Sequence, residues 1–250
     1  MFLTAPRAEG FLESIRSEVE AIINSGRNSS AKELSILTKQ QFASNRFPQY
    51  FRGNLASKIV FVGFNCRENK SKARVKFATY QDYLNSCKEL PDRQKIIENG
   101  SLTELKQLQF IEPFIDGWGN RQKLDRLYLY LIPHAPIADF NLTGFTPEIL
   151  QPYLEKILDV LIKFPRKYII FCGSAFEQVL RSYTLEKQTL NLVENSDRNS
   201  IELKFSLLNL TYKQQIIKVG LTHSFGSLSM STIDYSKSCK QLYDGALSRE

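Results

Sequence analysis

The chain has 250 residues, 42% of them hydrophobic, which suffices for one domain with a substantial core and excludes a disordered polymer. Its formal charge of +7 favours a polyanionic partner, or greater solubility alone. Cys66, Cys87, Cys172 and Cys239 form no C-x-x-C pair and no apolar run reaches about 18 residues, so a zinc site, a disulfide framework and a membrane span are not expected and a soluble, cytoplasmic protein is.

Phe11, Ile15, Val19 and Ile22 predict an amphipathic helix over 9–24. A second helix is expected over 30–43, with Ser29 or Ser30 as its N-cap, completing an N-terminal helical region, 1–45. The segment Arg46-Phe47-Pro48-Gln49-Tyr50-Phe51-Arg52-Gly53 reads as an extended basic and aromatic loop. It leads to a buried strand over 58–62 that stops on Gly63-Phe64-Asn65. Residues 71–111 read as helical and highly charged, broken near Pro91 and Gly100, within a charged insertion, 66–125. A strand over 126–132 ends on Pro133-His134-Ala135-Pro136. A helix over 147–163 leads to a strand over 167–172, and Gly173-Ser174 opens another helix. Two alternating strands, 201–209 and 213–221, precede a last helix over about 232–247.

Strands alternating with helices imply a single α/β domain, 1–250, built as a three-layer sandwich. Its central sheet is expected to be mostly parallel, with four to five strands and helices on both faces. Gly63-Phe64-Asn65, the Pro133-to-Pro136 turn, Gly173-Ser174 and the loop from His223 to Leu228 all follow C-terminal strand ends. That edge is where open α/β sheets bind ligands.

The residue types in these loops suit a polar ligand. Gly63 permits a tight turn or close approach, or is an ordinary strand-to-loop glycine. The Asn65 amide has an oxygen to position water and an NH2 to bind a base edge or a sugar. His134 is read as an exposed turn residue in reach of a base or a phosphate. Ser224, Gly226, Ser227 and Ser229 offer hydroxyls and main-chain N–H groups for phosphates. Leu228 suits a wedge entering the gap left by a flipped nucleotide, and suits its own core equally well. Phe64, Tyr50 and Phe51 are candidates for stacking on an extruded base, and Arg46, Arg52 and Arg67 for anchoring phosphates. The two histidines, His134 and His223, have no matching acidic cluster, so neither a metal nor any other cofactor is expected.

Two of these segments resemble the active-site motifs of the uracil-DNA glycosylase superfamily. Gly63-Phe64-Asn65 is similar to the Gly-Ile-Asn-Pro-Gly motif of its mismatch-specific branch, with Cys66 and Arg67 in place of Pro-Gly. His223-Ser224-Phe225-Gly226-Ser227-Leu228-Ser229 resembles His-Pro-Ser-Pro-Leu-Ser, one residue longer. The strand ending on Gly173-Ser174-Ala175 resembles the family's strand–Gly–x–Ala entry to a helix. The resemblance implies a monofunctional DNA glycosylase acting as a monomer. In it Asn65 orients the hydrolytic water and a neutral His223 donates a hydrogen bond to the leaving base, while Gly63, Phe64, Cys66, His134 and Gly173 line the base pocket. Ser224, Gly226, Ser227 and Leu228, with Arg46, Arg52 and Arg67, would hold DNA, duplex or single-stranded. The cysteine spacing does not match the iron–sulfur cluster of some family members. The altered first motif points to a base other than plain uracil, such as a modified cytosine of phage DNA excised in antiviral defence. Uracil or mismatch repair, and non-catalytic DNA binding on the same fold, are the alternatives.

Overall fold

The opening apolar stripe folds into helix α1 (Glu9–Ser25), which buries Leu12, Ile15, Val19 and Ile22 at the three-to-four-residue spacing of one helix face. Phe11, placed on that stripe from sequence, is only half buried. Gly26 adopts φ +68° and returns its N–H to Ile22 at 2.8 Å, which ends the helix. The computed structural model describes residues 8–65, 76–91, 93–100, 102–115, 125–137, 140–195, 200–223 and 232–247.

In chain order the elements after α1 are α2 (Ser29–Thr38), β1 (Phe51–Gly53), β2 (Ile59–Asn65), α3 (Tyr80–Lys88), α4 (Arg93–Asn99), α5 (Leu102–Ile111), β3 (Leu127–Ile132) and α6 (Pro147–Lys163). Then come β4 (Tyr168–Cys172), α7 (Phe176–Leu180), β5 (Thr184–Asn195), β6 (Ser200–Tyr212), β7 (Gln215–Thr222) and α8 (Thr232–Leu247). Helix α2 starts earlier than expected because Asn28, not a serine, is its N-cap, its side chain accepting from the Ala31 N–H. It stops at Thr38 because Lys39 turns left-handed, φ +57°.

The chain divides into two compact units, Met1–Glu89 with Arg126–Arg166, and Leu90–Asp125 with Lys167–Glu250. In the first, β2 runs parallel to β3, from Val60 opposite Leu127 to Asn65 opposite Ile132, and β1 lies antiparallel on the other side of β3. Val60, Phe61, Val62, Leu129, Leu131 and Ile132 are all buried. Such runs without polar alternation are what strands covered on both faces require. Helix α6, with Pro147 at its start, buries Leu150, Leu154, Ile157, Leu158 and Leu161.

In the second unit the strand order is β4-β7-β6-β5. Strand β4 is parallel to β7, Ile170 facing Gly220, whereas β6 is antiparallel to both β7 and β5. Lys213 and Gln214 turn the β6–β7 hairpin with φ +47° and +62°. This is the two-residue turn with both φ positive that suits strand twist, made here without a glycine. Gly220 is required by packing: a Cβ there would stand 2.5 Å from the Phe205 ring, and Phe205 is fully buried. Tyr243 of α8 ties the helix to the strands, donating to the Lys218 carbonyl at 2.7 Å and accepting from the Ile169 N–H at 3.2 Å.

The α/β class is as expected; the strand inventory is not. Seven strands are present among the described residues instead of four to five, and the β1–β3, β5–β6 and β6–β7 pairings are antiparallel. Strand β5 carries Glu186, Lys187, Gln188 and Thr189, all exposed. A strand last in order, with one hydrogen-bonded neighbour and little burial, shows no period-2 apolar signal. The three-residue β1 falls inside the segment expected as a loop.

Candidate functional site

Strand β4 is an apolar run that stops at Cys172, and the turn after it needs glycine. Gly173 sits at φ +138°, a value side chains disfavour. Its N–H donates to the Thr222 carbonyl at 2.8 Å and its own carbonyl accepts from Phe176 at 3.1 Å. One residue thereby joins the ends of β4 and β7 and starts α7. Beside this junction lies an open cleft of about 230 Å³, solvent-open mouth included. Ser174, Glu177, Lys204, Ser206, Leu221, Thr222 and His223 line it.

His223 is half buried, and its Nε2 receives the backbone N–H of Lys204 at 3.1 Å. An N–H donor requires an unprotonated acceptor nitrogen, so the ring carries its proton on Nδ1. Burial, then the neighbouring Lys204 ammonium, lowers the imidazole pKa below its ordinary value. The ring is therefore neutral at pH 7 and offers one N–H donor. Behind it, Tyr235 of α8 donates to the Lys204 carbonyl at 2.9 Å and lies 2.7 Å from the Thr222 hydroxyl.

Glu177, which also lines the cleft, takes two cations at once. One carboxylate oxygen accepts from Lys187 and the other lies 3.5 Å from the Lys204 ammonium. The Lys187 hydrogen bond is the main reason the carboxyl sits below the usual range. These side chains are partly exposed, so each pair is a weak contact that a competing anion displaces easily.

In the first unit, Asn65 closes β2 opposite Ile132. Gly63 is not a turn residue, as β2 continues two residues past it. A Cβ at Gly63 would meet the Tyr130 ring at 3.7 Å, an ordinary contact, so among the described residues nothing imposes glycine there. Phe64 is half buried, its ring 6.4 Å from Phe140. Tyr50 and Phe51 are buried core residues, which removes them as stacking platforms for a base; the Tyr50 hydroxyl donates to Glu18. Arg46 and Arg52 are half buried, Arg52 opposite Tyr128 in β1. Cys66, Arg67, Ser224, Gly226, Ser227 and Leu228 lie outside the described residues, as does the Asn65 side chain.

His134 corrects the expectation of an exposed turn residue that touches substrate. It is 1% exposed, its Nδ1 3.3 Å from the Asn28 amide nitrogen and its Nε2 3.9 Å from a Glu18 oxygen. Prolines on both sides of it give the look of a surface turn, but Ala135 and Pro136 pair with Ala43 and Phe42 and draw the segment inward. Burial lowers its pKa; Glu18 opposes this and Lys156 assists. A histidine depressed in the folded state contributes stability above its unfolded value of 6.5 and loses it as pH falls. Thermal melts are expected to show Tm decreasing from pH 7.5 to 5.5, with a shallower decrease in His134→Gln. An equal decrease in both would show that other groups carry the acid sensitivity.

Glu177, Lys204, Ser206 and Tyr235 have no motif in the sequence. The available signal is Lys204 and Ser206, two polar residues at i, i+2 flanking buried Phe205, which marks a polar face on an alternating strand. Among the described residues no cluster of three His, Cys, Asp or Glu side chains is placed to hold a metal ion, and no helix is long and apolar enough to cross a membrane. No protein-family model matches the chain, and no curated protein matches it either.

Proposed function

We propose that the protein is a monofunctional DNA glycosylase, which extrudes a nucleotide and hydrolyses its N-glycosidic bond to leave an abasic site. The observation that carries this reading is His223, a neutral imidazole at a strand end whose Nε2 is occupied by Lys204 and whose Nδ1–H remains to donate. When a glycosidic bond breaks, its electron pair moves onto the base and negative charge gathers on the base's carbonyl oxygen. A preorganised donor there stabilises the transition state more than the ground state. The sugar becomes cation-like, and a water held by Asn65 adds to C1′, its proton passing through solvent to the departing base, which leaves neutral. Asn65 is the last residue of β2, after its apolar run.

The preferred base is a modified pyrimidine, as the departure at Cys66 and Arg67 from the family motif suggests, which places the enzyme in defence against modified phage DNA. Alkali cleavage of end-labelled oligonucleotides tests this. Strand breaks at hydroxymethylated or glucosylated cytosine support it. Breaks at uracil or mismatched thymine alone assign a repair role. Binding without breaks on any substrate leaves a DNA-binding protein.

Lys187 and Lys204, held by Glu177, are the phosphate-facing cations of this reading. Glu177→Gln is expected to tighten DNA binding and to steepen its salt dependence by roughly one slope unit per freed lysine. Fluorescence anisotropy across a salt series reads both. An unchanged slope would place these lysines outside the DNA contact surface.

A further inference from the structure

His223 is useful as a donor only in one tautomer, and the structure shows what selects it. The Lys204 main chain is engaged at both ends, its N–H on His223 Nε2 at 3.1 Å and its carbonyl on the Tyr235 hydroxyl at 2.9 Å. The phenol has one hydrogen and gives it to that carbonyl. The Thr222 hydroxyl at 2.7 Å is then the donor to the phenol oxygen. Three hydrogen bonds thus run from β7 through α8 to β6 and back to the first residue beyond β7. Tyr235 and Thr222 are both buried, so no water competes for these groups.

We propose that Tyr235 is a positioning residue for His223: its hydroxyl fixes the Lys204 main chain so that the Lys204 N–H meets Nε2 and leaves Nδ1–H as the only ring donor. The role rests on the reading of His223 as donor to the leaving base. Tyr235 touches no substrate and acts through Lys204 alone. Loss of its hydroxyl frees the Lys204 carbonyl, lets the Lys204 N–H swing away from the ring, and admits the Nε2–H tautomer.

The chain has only two histidines, so nitrogen NMR of 15N-histidine-labelled protein resolves each ring, and His134→Gln assigns them. In the unmodified protein His223 is expected to be protonated on Nδ1 and bare on Nε2. Tyr235→Phe keeps the ring and its packing, and is expected to convert a measurable fraction of His223 to Nε2–H. Any kcat for base release should fall in proportion to the lost Nδ1–H fraction, with KM unchanged. Thr222→Val removes the adjacent hydroxyl but leaves the bond from Tyr235 to Lys204, so His223 should keep its tautomer. An Nε2–H ring in the unmodified protein, an unchanged tautomer in Tyr235→Phe, or an equal change in Thr222→Val would each overturn the proposal. The spectra need no activity: a tautomer change without base release from any DNA would retain the positioning role and reject the glycosylase reading.

Discussion

Under the proposed glycosylase function, replacing His223 by Ala is expected to slow base release by about 100- to 1000-fold while DNA binding stays close to normal. The magnitude follows from the kind of interaction lost. A donor aimed at charge that exists only in the transition state contributes little to ground-state affinity and much to rate. Asn65→Ala is expected to act likewise, since in the proposed mechanism this residue orients the water that attacks C1′. The pH profile gives an independent check. Because burial and Lys204 lower the His223 pKa, the rate should hold as pH falls through the ordinary imidazole value of 6.5, and decline only below it. Single-turnover kinetics on a susceptible oligonucleotide measure all three. A His223→Ala enzyme with the parental rate would remove this residue from the chemistry.

The second large effect concerns stability. Phe205 is fully buried on β6, and its ring fills the space that a side chain at Gly220 would need. Phe205→Ala is expected to destabilise the protein by about 3–5 kcal/mol, the cost of lost burial together with an unfilled cavity. Gly220→Ala pushes a methyl into a packed aromatic ring and should cost about 1–3 kcal/mol. The two sites share one space, so their effects should not add. Gly220→Ala combined with Phe205→Leu is expected to be less destabilised than the sum of the singles, read from urea unfolding of all four proteins. Strict additivity would mean that the ring and the strand do not compete for that volume.

The fold was legible where burial imposes a period. Helices α6 and α8 match their expected bounds because each has one apolar face, and β2, β3 and β4 announce themselves as continuous apolar runs. Strand β5 was hidden, since most of its described side chains are exposed and its pairing comes from β6. The same logic governs the site. Gly173 was readable from the apolar strand before it, and its positive φ gives the physical reason for glycine. Gly63 looked alike in sequence, yet it lies within a strand and faces nothing closer than the Tyr130 ring. His134 misled because a polar residue between two prolines resembles a surface turn, whereas the Asn28 and Glu18 side chains that accommodate it come from distant positions. Tyr235 and Glu177 were invisible for a related reason: their partners lie on other elements, and one-dimensional spacing does not record contacts of α7 and α8 with β5, β6 and β7.

Mass spectrometry of free bases tests the proposed cleavage of an N-glycosidic bond most directly. The protein would be incubated with DNAs carrying uracil, mismatched thymine, deaminated purines, and hydroxymethylated or glucosylated cytosine, alongside Asn65→Ala and His223→Ala. Release of a single modified pyrimidine, abolished or strongly reduced in both variants, is the expected result. No free base from any DNA, with binding intact, would contradict it, and so would release that persists unchanged in both variants.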